Sequence, residues 1–543
     1  AGAGPVGLRV DDAASARVGA GGESQHSTAG DRGSRIGDQG SEHGAAGDRG
    51  GGGAGGSDAR RSRSARADDS GARHVRGRAA PGPLCARRDA DAPFRAGPRH
   101  PSPHPRCRSS RPPGCRAARR TRVLLPGGDW RPRAPCGDHL SAAPQSVHVG
   151  LGFEVLSGQP IVPKHIWSKE EDPVKFTNPN PVGTGPFTEV TLFTNQVWEL
   201  SKNPYYWKEG KPKIKKLRFP AFLSNEQATL ALINGEVDWS GNFIPAIDRI
   251  FVSKDPEYNK YWFPQSGGSI FLYLNTTISP FDDEEFRKAV SMCIDRNLIT
   301  KVAMYDYTDP AHQTALSGAF SKFRLPEESI TDDWVKYSPE KAKKKIISLD
   351  YKRSKNGYWL DKNNNEILIT IGVVSGWADW IRAGQIISRN LDDIGIKSRV
   401  KTQDFGAWFN DLQTGKFNAA ISWAEGGASP YPMYEGLMAS KGIKPVGEVS
   451  GTNWHRFGLV EVDSLVSMFE TTSDDEIKQN ILYRMQELFI ESAPAIPIFA
   501  NPTWGVFSTR RFINFPTKEN PYAQISPNLT PENLFILTEV IPR

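Results

Sequence analysis

The sequence predicts an α/β fold beginning near residue 151, behind a leading segment of foreign composition. Two observations predict it. After residue 150, apolar runs of strand length alternate with capped segments of helical period, the pattern of α/β layers. Before that point the chain has no lysine until Lys164, no asparagine until Asn178 and no tyrosine until Tyr205, yet residues 1–150 hold 25 arginines.

The leading segment carries the charge. Its 25 arginines face 14 acidic residues, so the overall +7 belongs to it and the remainder is mildly acidic. Phe94 and Trp130 are its only aromatics, which leaves almost nothing large to bury. Three readings stay open for it. Mutually exclusive use of residues from A/T-rich codons (Lys, Asn, Tyr) and G/C-rich ones (Arg, Gly, Ala, Pro) fits an out-of-frame translation. A disordered tail is the second reading. An arginine-rich arm that neutralises phosphates is the third, although the aromatics that would stack on bases are missing. Cys85, Cys107, Cys115 and Cys136 lie in this segment at spacings that match neither a zinc ligand pair nor a redox CxxC. No signal-peptide pattern stands at Ala1, and no apolar run reaches transmembrane length.

The elements follow in order. In SNEQATLALINGEVDW, Ser224 and Gln227 have capping-box spacing, Leu230, Leu232 and Ile233 supply the buried side, and Gly235 supplies the left-handed stop. Asp282 with Glu285 opens a helix ending near Ile294, whose apolar positions place Cys293 in the core. Ser338 with Pro339 opens one ending near Leu349, and Ser473 with Glu476 opens one ending near Ser492. Strand-like runs lie at 269–275, 366–374, 417–423 and 496–500. DKNNNE (361–366) spaces Asp361, Asn363 and Asn365 like a calcium loop. It lacks glycine at the sixth position and has Gly372 at the twelfth, so a hairpin turn is expected.

Several blocks then carry a resemblance: PVGTGPF (181–187), ELSKNPYYWKEGKPKIKKLRF (199–219), ATLALINGEVDW (228–239), LYLNTTISPFDDEEFRKAVSMCIDRNLI (272–299) and APAIPIFANPTWGVF (493–507). In this order they resemble the family 5 extracellular solute-binding proteins of ABC importers, which take peptides, nickel or oligosaccharides. The resemblance implies a two-lobe, type II periplasmic-binding-protein-like α/β fold with a hinge, in which ligand shifts an open–closed equilibrium. No enzyme activity and no cofactor are expected, and the residues show no metal-ligand pattern. It also implies a monomer at the periplasmic or extracellular cell surface, with an ABC permease as partner. On this reading residues 151–266 form part of the N-terminal lobe, 267–494 the C-terminal lobe, and 495–543 a return to the first. Gly267, Gly268 and Pro502 are the hinge candidates, with Asn501 beside Pro502 on the second crossing. The family's first strand and smaller subdomain have no counterpart motifs in residues 1–150, nor does the cysteine that anchors many members as lipoproteins. The N-terminal lobe is therefore expected to be incomplete and binding weak or absent.

Peptide-binding members resemble one another in a W-x-A-D pattern, whose aspartate meets the peptide ammonium. Here Gly426 stands three after Trp423, with Glu425 one residue away. Tryptophans accumulate instead, and SGWADW resembles the oligosaccharide-binding branch; flat indole faces suit pyranose rings. The expected ligand-binding residues are Trp239, Asn242, Trp377, Asp379, Trp380, Trp423, Glu425, Trp454 and Asn501. Trp408, with Phe409 and Leu412, is expected in the core, and Trp504 leans the same way. A short oligosaccharide is the expected ligand, a peptide the runner-up. A glycoside hydrolase using Asp379, Glu425 and Glu435 is a remote alternative. His165, His312 and His455 show no metal-ligand spacing.

Overall fold

The computed structural model describes residues 7–11, 161–173 and 175–543. The four cysteines, Phe94 and Trp130 of the leading segment lie outside the described residues. Strands gather into two main sheets, the second with one large core and the first with two smaller ones.

The first sheet contains β1 (Gly7–Asp11), β2 (Phe187–Phe193), β3 (Val197–Lys202), β4 (Lys216–Pro220), β5 (Trp239–Ser240), β6 (Asn259–Trp262) and, from beyond the second lobe, β14 (Gly505–Ser508). Its order is β2-β3-β4-β1-β5-β14-β6. The expectation that the leading segment supplies no strand is corrected here. Gly7–Asp11 sits antiparallel to β4, with Arg9 opposite Arg218, and to β5, with Leu8 opposite Trp239. A ladder is made of backbone donors and acceptors, so five residues of unusual composition suffice.

The second sheet has the order β11-β10-β12-β7-β13. Its strands are β7 (Gln265–Leu274), β10 (Leu368–Val374), β11 (Lys397–Gln403), β12 (Ala419–Ser422) and β13 (Ile496–Pro502). β10 pairs parallel with both β11 and β12, and β7 runs antiparallel to β12 and β13. The buried runs Phe271–Leu274, Ile371–Val374 and Ile496–Phe499 explain why these strands read as largely apolar stretches. The helix Ala378–Asp393 connects β10 to β11 and lays Ala383, Gly384, Ile387 and Leu391 on the sheet. A Cβ on Gly384 would stand 3.4 Å from Val400, so its absence lets helix and sheet approach. β8 (Lys352–Arg353) and β9 (Trp359–Leu360) form a separate ribbon, and Asp361–Glu366 is the expected turn, closed by Asp361 N–H to Asn365 O at 2.8 Å. β15 (Phe512–Ile513) pairs with β16 (Ile541–Pro542).

Helix positions agree with expectation, while several details differ. Ser224 Oγ accepts from Gln227 N–H at 3.3 Å, and Gly235 has φ +70°. Leu230, however, is exposed, and the buried face is Ala228, Ala231 and Leu232. Residues two apart on a helix differ by about 200°, so Leu230 and Leu232 cannot share a face. The caps of Glu284–Met292 and Asp475–Ser492 are Asp283 and Asp474, one residue later than expected. Each carboxylate accepts two backbone N–H groups of the first turn, and its charge also faces the positive helix end. Arg287, 1% exposed, donates to Phe281 O, Ala493 O and Ser492 O. It thereby satisfies carbonyls at the end of the helix Asp475–Ser492.

Two crossings join the sheets side by side. Pro502 lies opposite Gln265 in the ladder, and Thr503 N–H donates to Pro264 O at 2.7 Å. Because β13 is hydrogen-bonded within the second sheet, the chain returns to the first lobe after Pro502, not at 495. Gly267 and Gly268 lie inside β7, where a Cβ on Gly267 would fall 1.9 Å from the Phe320 ring. That glycine makes room for an aromatic ring.

Candidate ligand cleft

The three parallel strands point their carboxyl ends at one edge, the usual place for a site in an open α/β sheet. Trp377 and Trp380 follow β10, Phe405 and Trp408 follow β11, and Trp423 follows β12. Ring centroids lie 4.8 Å apart for Trp377–Trp380, 6.1 Å for Trp380–Trp423 and 5.6 Å for Trp408–Trp423. This aromatic wall faces a cleft open to solvent, with a cavity volume of about 220 Å³. The floor is the crossing itself, with Asn501, Thr503 and Trp504. The opposite wall is Asn225, Asn242 and Phe243 of the first lobe, with Ser526 and Asn528 from the C-terminal segment.

Of the expected residues, the structure brings Asn242, Trp377, Asp379, Trp380, Trp423 and Asn501 to this cleft, together with the crossing residue Pro502. Three expected residues lie elsewhere. Trp239 is fully buried in the first lobe's core, 6.0 Å from Phe515, because its strand turns that side chain inward. Trp454 is 4% exposed and stands behind Trp423, edge-on at 5.9 Å. Glu425 shares with Trp454 a separate small cavity beside Tyr273 and Thr452. Trp408 is buried, as expected, and braces Trp380 at 5.9 Å. Trp504, expected to lean to the core, lines the cleft and packs edge-on against Phe243 at 5.5 Å.

The polar groups divide by availability. Asn242 donates to Asn225 O, Thr229 Oγ1 and Phe243 O, and accepts from Ser240 Oγ at 2.6 Å. Its amide is therefore engaged within its own lobe. Asp379 is 4% exposed, and burial pushes its carboxyl from 3.8 up to about 6. Hydrogen bonds from the backbone N–H groups of Asp379 and Trp380, Asn225 Nδ2 at 3.4 Å and the charge of Arg382 oppose that rise. Among the described residues lining the cleft there is no lysine, arginine or histidine, and Asp379 is the single acid. The paired carboxylates of a glycosidase are not assembled: Glu425 faces the other cavity and Glu435 pairs with Lys441.

Residues 139–445 match the model of the bacterial extracellular solute-binding proteins, family 5 middle region. The chain belongs to that family. A periplasmic oligopeptide-binding protein from Thermotoga maritima, solved with mannohexaose bound, is 26% identical and aligns over 71% of this chain and 74% of its own, with a TM-score of 0.65. The oligopeptide-binding protein AppA of Bacillus subtilis, in complex with a nonapeptide, is 18% identical over 72% of this chain and 73% of its own, at a TM-score of 0.59, which shows the shared fold. The fold of this solute-binding protein is accordingly the two-lobe, type II periplasmic-binding-protein fold. A dipeptide-binding protein of Bacillus subtilis is 21% identical over 59% of this chain. A glutathione-binding protein of Salmonella choleraesuis is 24% identical over 59%. The chain spans 55% and 59% of the lengths of these two relatives.

Asn225, Phe243, Trp504, Thr503, Ser526 and Asn528 line the cleft without having been expected there. Trp504 carried a signal, since it stands two residues after the crossing residue Pro502. Ser526 and Asn528 sit in an irregular segment with no periodic pattern, so nothing local pointed to them.

Proposed function

We propose that this solute-binding protein is the capture component of an ABC importer and that its cleft takes a short, neutral oligosaccharide for delivery to a membrane permease on the outer side of the cytoplasmic membrane. One observation supports the sugar over a peptide: the described residues of the cleft pair four indoles with amides, hydroxyls and the lone acid Asp379, and include no cation. A zwitterionic peptide buried there would leave its carboxylate without a counter-charge, which costs several kcal/mol. A pyranose needs only flat apolar faces for its C–H surface and hydrogen-bond partners for its hydroxyls. Asn501, Thr503, Ser526 and Asn528 are the proposed hydroxyl partners, and Trp377, Trp380, Trp423 and Trp504 the proposed platforms. The mannohexaose bound to the Thermotoga maritima relative is consistent with this choice. The peptide reading draws on the relatives whose names specify peptides.

Calorimetry with manno- and cello-oligosaccharides, and with di- to pentapeptides, on a chain whose N-terminus has been restored, separates the two readings. Heat from saccharides alone is expected, and heat from peptides alone would overturn the assignment. A reducing-sugar assay on the same saccharides is expected to show no cleavage.

A further inference from the structure

We propose that the loop at Gly376 and the first turn of the helix Asn225–Ile233 form a clasp that holds the two lobes together in the absence of ligand. The inference rests on the reading of the cleft as a ligand site between lobes, and it adds a contact that no ligand makes.

The clasp has three parts. The backbone N–H of Asn225 donates to Gly376 O at 3.0 Å. First-turn N–H groups have no partner inside their own helix, so the second lobe supplies an acceptor that water would otherwise provide. Asn225 Nδ2 reaches Asp379 Oδ1 at 3.4 Å, while Asn225 O accepts from Thr229 Oγ1 at 2.7 Å and Asn242 Nδ2 at 3.3 Å. Asn225, 5% exposed, is thus held in place by its own lobe before it meets the other. Gly376 has φ +84°, and a Cβ there would lie 2.5 Å from Leu223 O and 2.8 Å from Ser224 Cβ. Real Cβ atoms do not come that close, and the nearest obstacle is backbone. The contact therefore exists only with glycine at 376.

The bonds from Asn225 to Gly376 and Asp379 and the close contacts at Gly376 cross between lobes, so a side chain at 376 opposes closure without disturbing the sheet that carries it. A clasp of this kind gives the empty protein a closed population, and apparent affinity then scales with that population for every ligand alike. Gly376 and the backbone N–H of Asn225 would set how tightly the protein binds, and the side chains of the cleft walls what it binds.

Hydrogen exchange in the ligand-free protein tests this directly, because the Asn225 amide is protected only while it donates to Gly376. Wild type is expected to protect it well beyond an unstructured amide. Gly376→Ala is expected to raise its exchange roughly tenfold or more, since overpacking against a rigid backbone is not relieved by a side-chain shift. Amides of Ile371 and Val373 in β10 should not change. Gly357→Ala is the control for backbone strain: Gly357 has φ +87° with nothing within 4 Å of its Cβ position, so Asn225 should be unaffected. An unprotected Asn225 amide in wild type, or no change in Gly376→Ala, overturns the clasp. If Gly376→Ala loses protection throughout β10, Asn225→Ala decides: it keeps the N–H but loses the bond to Asp379. A severalfold rise at residue 225 is then expected, and no rise overturns the proposal. No ligand is used, so failure of the saccharide assignment leaves this result standing, and the reverse also holds.

Discussion

Replacing Asp379 by asparagine should stabilise the protein at neutral pH and leave it unchanged in acid. Asp379 is 4% exposed and its carboxyl is raised from 3.8 to about 6, chiefly by burial. A folded-state value above the unfolded one means that the native state binds the proton more tightly. Stability from this group is therefore complete below about pH 3.8, declines as pH rises through about 6, and is flat beyond. The difference of about 2 pH units corresponds to about 3 kcal/mol at neutral pH. Asparagine keeps the shape and an oxygen acceptor for Asn225 Nδ2 without the buried charge. Thermal unfolding of wild type and Asp379→Asn, paired at each pH from 4 to 8, isolates the effect because every other group titrates alike in both. The variant's advantage should be near zero at pH 4 and reach its plateau above pH 7. For a lobe of this size each kcal/mol moves Tm by about 2–4 °C. A difference that does not depend on pH, or a variant less stable than wild type at pH 7.5, would refute burial as the dominant influence on Asp379.

Trp423→Ala should weaken saccharide binding by about 1.5–3 kcal/mol, roughly tenfold to a hundredfold by calorimetry, since it removes one large apolar platform at the cleft. Trp239→Ala should lower stability by about 3–5 kcal/mol through a cavity in the first lobe, with no specific loss of ligand selectivity. Arg511 grips the carboxylate of Asp238, itself 3% exposed, at 2.8 and 2.6 Å. Arg511→Ala should cost about 3–5 kcal/mol, whereas Arg510→Ala, which breaks the more exposed pair with Asp255, should cost about 0–1 kcal/mol by the same unfolding assay.

What the sequence revealed and what it hid follow from how local each signal is. Strands β7, β10, β12 and β13 were legible because burial on both faces leaves an apolar run with no ambiguity of period. The caps at Asp283 and Asp474 were missed by one because each sits in a run of candidate acceptors, and only the backbone geometry selects among them. Trp239, Trp454 and Trp504 show the same limit for side chains. Each lies in or beside a short strand or loop whose inward direction depends on the partner it meets. Trp377, Trp380 and Trp423 were readable because the carboxyl ends of parallel strands are a topological location that a sequence can mark. Asn225 was invisible for a different reason: it occupies the buried first turn of a helix, and its importance arises from Gly376, 151 residues away in the chain and in the other lobe.

The tryptophans form two layers with separate physical tasks. Trp377, Trp380 and Trp423 line the cleft, while Trp408 and Trp454, both nearly fully buried, stand behind them at 5.6–6.3 Å. A platform that contacts pyranose rings gains affinity only if it does not have to be ordered on binding, and packing a second indole behind the first removes that ordering cost in advance. The same rigidity bears on selectivity. A wall that cannot rearrange cannot bring in a distant cation to meet a peptide carboxylate, so a lining without a cation discriminates by leaving that charge unpaired. Trp408→Ala should then weaken saccharide binding although Trp408 touches no ligand, because Trp380 and Trp423 both lose their backing.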